Sequence, residues 1–131
     1  MLNNSRLRNT FVSSLALLVL FAAVLACRSS SSTKCTALVT YEGTSYQGSD
    51  AEKEKAISNA CNNYCRDADA EYDAMYRIWV VSPAGRAAGQ PSKHEAIFKD
   101  SKLMDFVTIT CSNRCVAWTR DGTARLDTKC E

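Results

Sequence analysis

The chain is 131 residues long, contains seven cysteines, and carries 16 lysine and arginine side chains against 14 aspartate and glutamate side chains. Arg6 and Arg8 fall in the first 26 residues, which contain no acid, so residues 27–131 carry fourteen charges of each sign and no net charge. A neutral chain lacks the basic surplus that draws proteins to nucleic acids or anionic surfaces, so we expect no nucleic-acid partner.

Residues 1–26 have the organisation of a secretory signal peptide. Two arginines lie in the first ten residues, and the next sixteen, FVSSLALLVLFAAVLA, carry no charge and end in small residues. This order matches the charged region, apolar region and cleavage site of an export signal. The apolar run is shorter than the roughly 20 residues that a membrane-spanning helix needs. We therefore predict that residues 1–26 are removed during export.

The four residues Val24-Leu25-Ala26-Cys27 resemble the lipobox of bacterial lipoproteins. In that family a small residue precedes the cysteine that receives a diacylglycerol thioether and becomes the first mature residue. The resemblance implies lipidation of Cys27 and a membrane anchor of several acyl chains, which hold more firmly than one. It also implies a place in the bacterial cell envelope, facing the periplasm or the exterior. The alternatives are ordinary cleavage after Ala26, which leaves Cys27 a free thiol, and retention of the apolar segment.

The cysteine count favours lipidation. Seven is an odd number, which in an exported protein leaves one thiol without a disulfide partner. With Cys27 set aside as the lipid carrier, an even six remain, and we expect them to form disulfides: Cys35, Cys61, Cys65, Cys111, Cys115 and Cys130.

The mature chain is predicted to have two parts. Residues 27–34 comprise the lipidated Cys27 and the small polar run RSSSSTK, a composition typical of a flexible tether. Residues 35–131 are predicted to form a single disulfide-stapled globular domain, because about a hundred residues suffice for one domain but give only a marginal core.

The first elements of the domain are a predicted hairpin and helix. Residues 35–48 alternate in polarity around Glu42-Gly43, which favours two strands joined by a tight turn. From Ser49 or Asp50 onward, apolar residues recur at helical spacing as far as Val81. This pattern predicts either one long helix or two helices joined near residues 67–69. Residues 82–95 contain two prolines and two glycines and are predicted to form an exposed loop, and a short helical turn is expected within 96–104.

The C-terminal third changes to an alternating pattern that predicts three strands. These are 106–111 (FVTITC), 115–120 (CVAWTR) and 123–129 (TARLDTK), with Asp121-Gly122 as a hairpin turn between the last two. The predicted fold class is α+β: a small disulfide-rich domain with an antiparallel sheet made of the hairpin and a three-stranded meander. One main helix packs on this sheet.

The six domain cysteines include two CxxxC motifs. Cys61 and Cys65 lie on one face of the predicted helix, whereas Cys111 and Cys115 flank a predicted turn between strands. We expect the helix pair to bond with the turn pair. The first and last cysteines of the domain are then left to bond with each other.

Other uses of these cysteines fit the spacing less well. Structural zinc needs reduced thiolates, which an oxidising compartment does not maintain, and tends to place about two residues between paired cysteines. A thioredoxin-like site needs CxxC at the start of a helix. Paired CxxxC motifs also occur in small chaperones of the mitochondrial intermembrane space, but there two helices carry the pairs. We therefore expect no metal and no cofactor.

The titratable residues do not indicate an active site. His94 is the only histidine, and no GxSxG, HExxH or phosphate-binding glycine motif accompanies it. We interpret it as an exposed histidine without a special role. Asp67, Asp69, Glu71 and Asp73 resemble neither a complete calcium loop nor a catalytic pair, and are interpreted as a solvated acidic helix face.

The aromatic side chains have two interpretations, and we favour core packing over a ligand or partner surface. They are Tyr41, Tyr46, Tyr64, Tyr72, Tyr76, Trp79 and Trp118. If the domain contacts a protein or a small ligand, the predicted loop 82–95 is the expected surface, because it is long for so small a domain.

The leading functional hypothesis is an envelope-anchored lipoprotein that is not an enzyme and acts as a binding or structural module. The first alternative is a secreted cysteine-rich inhibitor or toxin-like effector without lipid. A small envelope hydrolase is a more distant alternative.

Overall fold

The structure is a computed structural model that describes residues 33–131. The signal peptide, Cys27 and most of the tether fall on residues 1–32 and therefore lie outside the described part of the chain. Those three assignments stay predictions. Residues 33–131 form one compact unit.

Three antiparallel strands form a sheet in the order β2-β1-β3, with β1 at Cys35–Tyr41, β2 at Thr44–Asp50 and β3 at Arg125–Cys130. The predicted hairpin is confirmed: Glu42 and Gly43 both have positive φ, 48° and 82°, as a tight turn between twisted strands requires.

One face of the sheet is buried under helices. Along β1, Ala37 and Val39 are fully buried, while their neighbours Thr36 and Leu38 are half-exposed on the other face. This alternation follows from the two-residue period of a strand. The sheet therefore has one helix-covered face and one polar, solvated face.

The predicted helical stripe forms two helices, α1 at Lys53–Ala68 and α2 at Ala70–Val80. Asp69 separates them in an extended conformation, and its carboxylate accepts hydrogen bonds from the backbone N–H groups of Glu71 and Tyr72. An aspartate in this position caps the start of a helix. The structure thus decides between one helix and two.

Helix α1 covers the sheet and also protects its β2 edge. Asn59 and Asn63 donate side-chain hydrogen bonds to the carbonyl oxygens of Ser49 and Gln47, at 2.9 and 2.7 Å. Gly48 lies against the α1 backbone so closely that a Cβ there would overlap it. The amide side chains satisfy carbonyl groups that an edge strand otherwise leaves unpaired.

The prediction of a loop over residues 82–95 is wrong in part, because the segment contains two short helices. Helix α3 (Pro83–Ala87) starts after the Ser82 cap, and α4 (Lys93–Ala96) starts with a capping box between Ser92 and Glu95. Serine and proline are favoured in loops and also at helix N-termini. The sequence of this segment therefore suggested a loop where the structure has the starts of two helices.

Two tyrosine hydroxyls fasten this segment to α2. Tyr72 donates to the Lys93 carbonyl oxygen at 2.7 Å, and Tyr76 donates to the Pro91 carbonyl oxygen at 3.0 Å. The surface that we expected to be a free loop is therefore anchored to the core.

The predicted strands 106–111 and 115–120 are wrong. Residues 101–121 are helical throughout: α5 at Ser101–Asp105, a π-helical segment at Phe106–Cys111, and α6 at Ser112–Asp121. Within the π-helical segment the buried residues are Phe106, Val107 and Cys111, a spacing that no alternating strand produces. Tertiary packing overrides the strand preference of the β-branched residues there.

The predicted Asp121-Gly122 hairpin turn is wrong for a related reason. Gly122 has φ 86° and ends α6, and the Ala124 N–H donates to the Trp118 carbonyl oxygen at 3.0 Å. A helix that ends on a left-handed glycine and a tight hairpin turn use the same residue type. Strand β3 follows and overlaps the predicted strand 123–129, so the fold class, α+β with an antiparallel sheet and disulfides, is confirmed.

Three disulfides link the elements. Cys35–Cys130 joins the start of β1 to the end of β3, while Cys61–Cys115 and Cys65–Cys111 join α1 to the helical segment 101–121. The two CxxxC pairs thus bond with each other and the first cysteine bonds with the last, as we expected, and the structure adds which cysteine of each pair bonds with which. The disulfides indicate an oxidising compartment.

Both CxxxC pairs lie on helices, contrary to our expectation for the second pair. The Cα atoms of the two helix-to-helix disulfides are 5.6 and 5.8 Å apart. Residues four apart on a helix lie about 6 Å from each other, against about 13 Å in a strand. Two helical pairs therefore match in spacing, and this match is the signal that could have corrected the strand assignment.

Candidate ligand-binding site

A cleft of about 490 Å³ opens at the hairpin end of the domain. The β1–β2 turn forms one wall, the end of α1 and the start of α2 form another, and α6 contributes an arginine. The lining residues are Tyr41, Glu42, Thr44, Tyr46, Tyr64, Ala68, Asp69, Ala70, Glu71 and Arg114.

Four aromatic rings form a cluster at this cleft. The Tyr64 ring meets the rings of Tyr41 and Tyr46 edge to face, each with centroids 5.4 Å apart. Tyr41 also stacks on Trp118, with centroids 4.9 Å apart and planes 10° from parallel. Edge-to-face and stacked pairs are the favoured aromatic arrangements. Among residues 33–131 the hydroxyl groups of these tyrosines have no hydrogen-bond partner, so ring packing holds the side chains in place.

Tyr64 is the most informative member of the cluster. It comes from the buried face of α1 and is only 5% exposed, yet within residues 33–131 its hydroxyl forms no hydrogen bond, although it lines the cleft. Burial, with a further contribution from the charge of Asp69, raises the pKa of Tyr64 to about 12. Its hydroxyl therefore stays protonated and able both to donate and to accept a hydrogen bond.

Arg114 closes the inner side of the cleft. Its Nη2 lies 2.6 Å from Asp69 Oδ2 and its Nη1 lies 3.0 Å from Glu71 Oε2. The hydrogen bond that Arg114 donates to Glu71, together with the nearby Asp69 charge, raises the pKa of Arg114 above its ordinary value. The guanidinium also lies 5.7 Å from the Trp118 ring, within cation–π range.

The structure separates the four acidic residues that the sequence placed on one helix face. Asp69 and Glu71 line the cleft, whereas Asp67 and Asp73 do not. The interpretation of Asp69 as solvated is wrong, since this residue is 4% exposed. It is buried because its carboxylate both caps α2 and pairs with Arg114, which offset the loss of hydration.

Asp73 and His94 lie outside the cleft. Asp73 accepts a hydrogen bond from Lys93 at 3.1 Å, which lowers the pKa of that carboxyl group. His94 lies on α4 with its side chain 58% exposed and its Nε2 3.4 Å from Asp67 Oδ1. The cleft thus does not include the histidine.

Some of the aromatic residues pack in the core and others form a surface that a ligand can reach. Tyr72 is fully buried in the core, whereas Tyr41, Tyr46 and Tyr64 line the cleft with Trp118 behind them. Sequence reasoning missed Arg114 and Glu42 as site residues. Arg114 can be recognised as a site residue only if this part of the chain is helical. Its position beside Cys115 then places it opposite the start of α2.

Two further properties concern the described residues. Within 33–131, no three or more histidine, cysteine, aspartate or glutamate side chains are grouped so as to hold a metal ion. In the same part of the chain, none of the helices combines the length and the apolar character needed to span a bilayer.

Comparison with protein-family models, with curated proteins and with solved structures gives no match for this chain.

Proposed function

We propose that the protein is a non-enzymatic binding module of the bacterial cell envelope, held to a membrane by lipid on Cys27, and that the cleft at its hairpin end receives the ligand. The observation that carries the binding function is Tyr64: a side chain that is 5% exposed lines the cleft while its hydroxyl lacks a hydrogen-bond partner among residues 33–131. This hydroxyl is therefore free to form a hydrogen bond with a ligand that enters the cleft.

The disulfides support an exported module. Three of them crosslink a domain of about a hundred residues, as is typical of small proteins in oxidising compartments. An export signal at residues 1–26 delivers the chain to such a compartment.

The position of the cleft suits an anchor at Cys27. Cys27 precedes Cys35 by eight positions, which keeps the start of β1 within about 27 Å of the lipid. The cleft lies at the other end of β1, beyond Tyr41 and about 20 Å further along the strand. The tether therefore joins the domain at the end of β1 opposite to the cleft.

The chemistry of the lining favours binding over catalysis. Asp69 and Glu71 both accept hydrogen bonds from Arg114, so these carboxylates hold a fixed cation and are engaged rather than free to exchange protons with a substrate. The remaining polar groups are tyrosine and threonine hydroxyls and Glu42 at the rim. His94, the only histidine of the chain, lies outside the cleft, so these hydroxyls have no histidine base beside them.

The anchor is tested by expressing the full chain and a Cys27→Ala variant in a bacterial host. We expect the wild-type protein in the membrane fraction, with an intact mass that exceeds that of residues 27–131 by its acyl chains. The variant should lack this added mass and leave the membrane fraction when its signal is cleaved. Ser31→Ala, in the same tether, is the matched control and should behave as the wild type.

Two outcomes contradict this part of the proposal. One is a mature wild-type protein whose mass shows Cys27 as a free thiol, which favours the secreted alternative without lipid. The other is a Cys27→Ala variant that carries the same added mass as the wild type.

A further inference from the structure

The charges that line the cleft are unbalanced. Glu42, Asp69 and Glu71 contribute three carboxylates and Arg114 contributes one guanidinium, which leaves a net charge of minus two in the cleft. The rest of the domain does not share this excess, since residues 27–131 are neutral overall. A cleft walled by aromatic rings concentrates such a field and attracts ions of the opposite sign.

The excess negative charge is located at the rim. Arg114 pairs with Asp69 and Glu71, whereas Glu42 has no cationic partner among residues 33–131. Glu42 is exposed at the β1–β2 turn with φ 48°. Glu71 is paired through one oxygen only, and its side chain is 59% exposed. The carboxylates of Glu42 and Glu71, which both line the cleft, can thus still accept hydrogen bonds from a ligand.

The aromatic residues also favour a cation in the cleft. Tyrosine rings attract ammonium and guanidinium groups within about 6 Å of their centroids, and the rings of Tyr41, Tyr46 and Tyr64 surround the cleft. The Tyr64 hydroxyl, nearly buried and unpaired within the described chain, can accept a hydrogen bond from an N–H donor.

Arg114 does not make the cleft a site for anions. Its two Nη atoms already lie at 2.6 and 3.0 Å from carboxylate oxygens. An anion that approaches the remaining N–H groups of Arg114 also approaches the carboxylates of Asp69 and Glu71, and like charges repel.

We propose that the cleft binds an organic cation, an alkylammonium or guanidinium group, between the Glu42 and Glu71 carboxylates with the Tyr64 hydroxyl as a further acceptor. This inference rests on the proposed binding function and specifies the ligand for the same site. Two sources present this chemistry: a free polyamine, and the lysine or arginine side chains of a basic peptide.

The test uses isothermal titration calorimetry of the mature chain with four probes. Spermidine represents a free polyamine and an acetylated tetralysine amide represents a basic peptide. N-acetylglucosamine is a neutral probe and inorganic phosphate an anionic one. We expect one or both cationic probes to bind, and their affinity to fall as ionic strength rises from about 0.01 to about 0.5 M, because salt screens exposed charges.

Site variants then locate the binding. Glu42→Gln removes an unpaired rim charge and is expected to weaken binding of the cation about twofold to fivefold. Tyr64→Phe removes only a hydroxyl and is expected to weaken it by about threefold to tenfold. Glu54→Gln is the matched control: Glu54 is exposed near the start of α1, about 21 Å of helix from Ala68, and binding should be unchanged. Thermal unfolding of each variant verifies that it is folded.

The outcomes distinguish the proposal of an organic cation from the broader proposal that the cleft binds a ligand. Tighter binding of spermidine identifies a free polyamine, tighter binding of the peptide identifies basic side chains, and either supports the inference. Binding of N-acetylglucosamine or phosphate that Tyr64→Phe weakens overturns the cation and leaves the binding function intact. Cation binding that Glu42→Gln and Tyr64→Phe leave unaltered overturns the inference. If none of the probes binds, the cation and the cleft as a ligand site are both rejected, whatever the result for Cys27.

Discussion

Arg114 and Asp69 are 45 positions apart in the sequence, and in the fold their side chains meet at 2.6 Å between Nη2 and Oδ2. The other carboxylate oxygen of Asp69 accepts the hydrogen bonds that start α2. One buried carboxylate thus joins the start of α2 to α6. The wall of the cleft depends on this pair, because it places Arg114 and Glu71 beside the aromatic cluster.

Removal of the arginine should destabilise the domain. Arg114→Met leaves the Asp69 carboxylate, 5% exposed, without its counter-ion, and we expect the free energy of unfolding to fall by about 3 kcal/mol. Asp69→Asn keeps an oxygen that can cap α2 and should cost less, about 1 to 2 kcal/mol. Chemical denaturation measures both values.

The control for this prediction is Arg125→Met. Arg125 pairs with Asp127 on β3, where both side chains are more than half exposed, so its loss should cost less than about 1 kcal/mol. Equal losses for Arg114→Met and Arg125→Met would show that the buried pair does not stabilise the fold.

Gly48 should tolerate no side chain. A Cβ at this position would overlap the backbone of α1 at Ala56 and Ala60, so Gly48→Ala forces the helix away from β2 and should lower the free energy of unfolding by about 2 kcal/mol. Gln47→Ala, an exposed neighbour on the same strand, should change it by about 0.5 kcal/mol at most. Thermal unfolding distinguishes the two variants. A Gly48→Ala protein as stable as Gln47→Ala would contradict the close contact.

The disulfides should differ in their rates of reduction. Cys130 is exposed, whereas the four cysteines of the helix-to-helix disulfides are at most 1% exposed. A thiolate reductant must reach a sulfur atom, so under native conditions the first thiols to appear should be Cys35 and Cys130. Alkylation and peptide mass spectrometry at increasing times give the order. Earlier labelling of Cys61 or Cys65 would contradict it.

Tyr64 and Tyr72 should ionise at a higher pH than an ordinary tyrosine. Burial raises the pKa of Tyr64 and of Tyr72 to about 12 from an ordinary value of 10.0. The protonated form is favoured in the folded protein, so the stability that it contributes is present in full below pH 10 and is lost as the pH rises to about 12. Ultraviolet absorbance of tyrosinate follows the titration while circular dichroism monitors the fold.

Single substitutions show which tyrosines ionise near pH 12. Tyr64→Phe and Tyr72→Phe should each remove part of the absorbance change near pH 12. A folded wild-type protein that forms no further tyrosinate near pH 12 would refute the assignment.

The hairpin, helix α1 and strand β3 could be predicted because their signals are local. A glycine turn between alternating residues and an apolar stripe at helical spacing each indicate one structure over a short window. The sequence also led us to expect that the two CxxxC pairs bond with each other and that Cys35 bonds with Cys130, but only the structure shows which cysteine of one pair bonds with which of the other. For the candidate site, the sequence indicated the tyrosines and acidic residues without showing which of them meet.

Residues 106–120 show where local reasoning fails. FVTITC and CVAWTR contain β-branched residues in an alternating order, and Asp121-Gly122 suits a hairpin as well as it suits the end of a helix. Two disulfides to α1 require a second pair of cysteines with helical spacing, and this long-range requirement outweighs the small local preference for a strand.

By itself the amino-acid sequence indicated the α+β class, a disulfide-rich domain and the absence of net charge on residues 27–131, since each follows from composition or from local patterns. The export signal at residues 1–26 stays a prediction. Only the tertiary structure decided the ligand cleft. Arg114 meets Asp69 across 45 positions, and Tyr64 meets rings from two strands and from α6. Such contacts arise from the packing of distant elements, which no local pattern encodes.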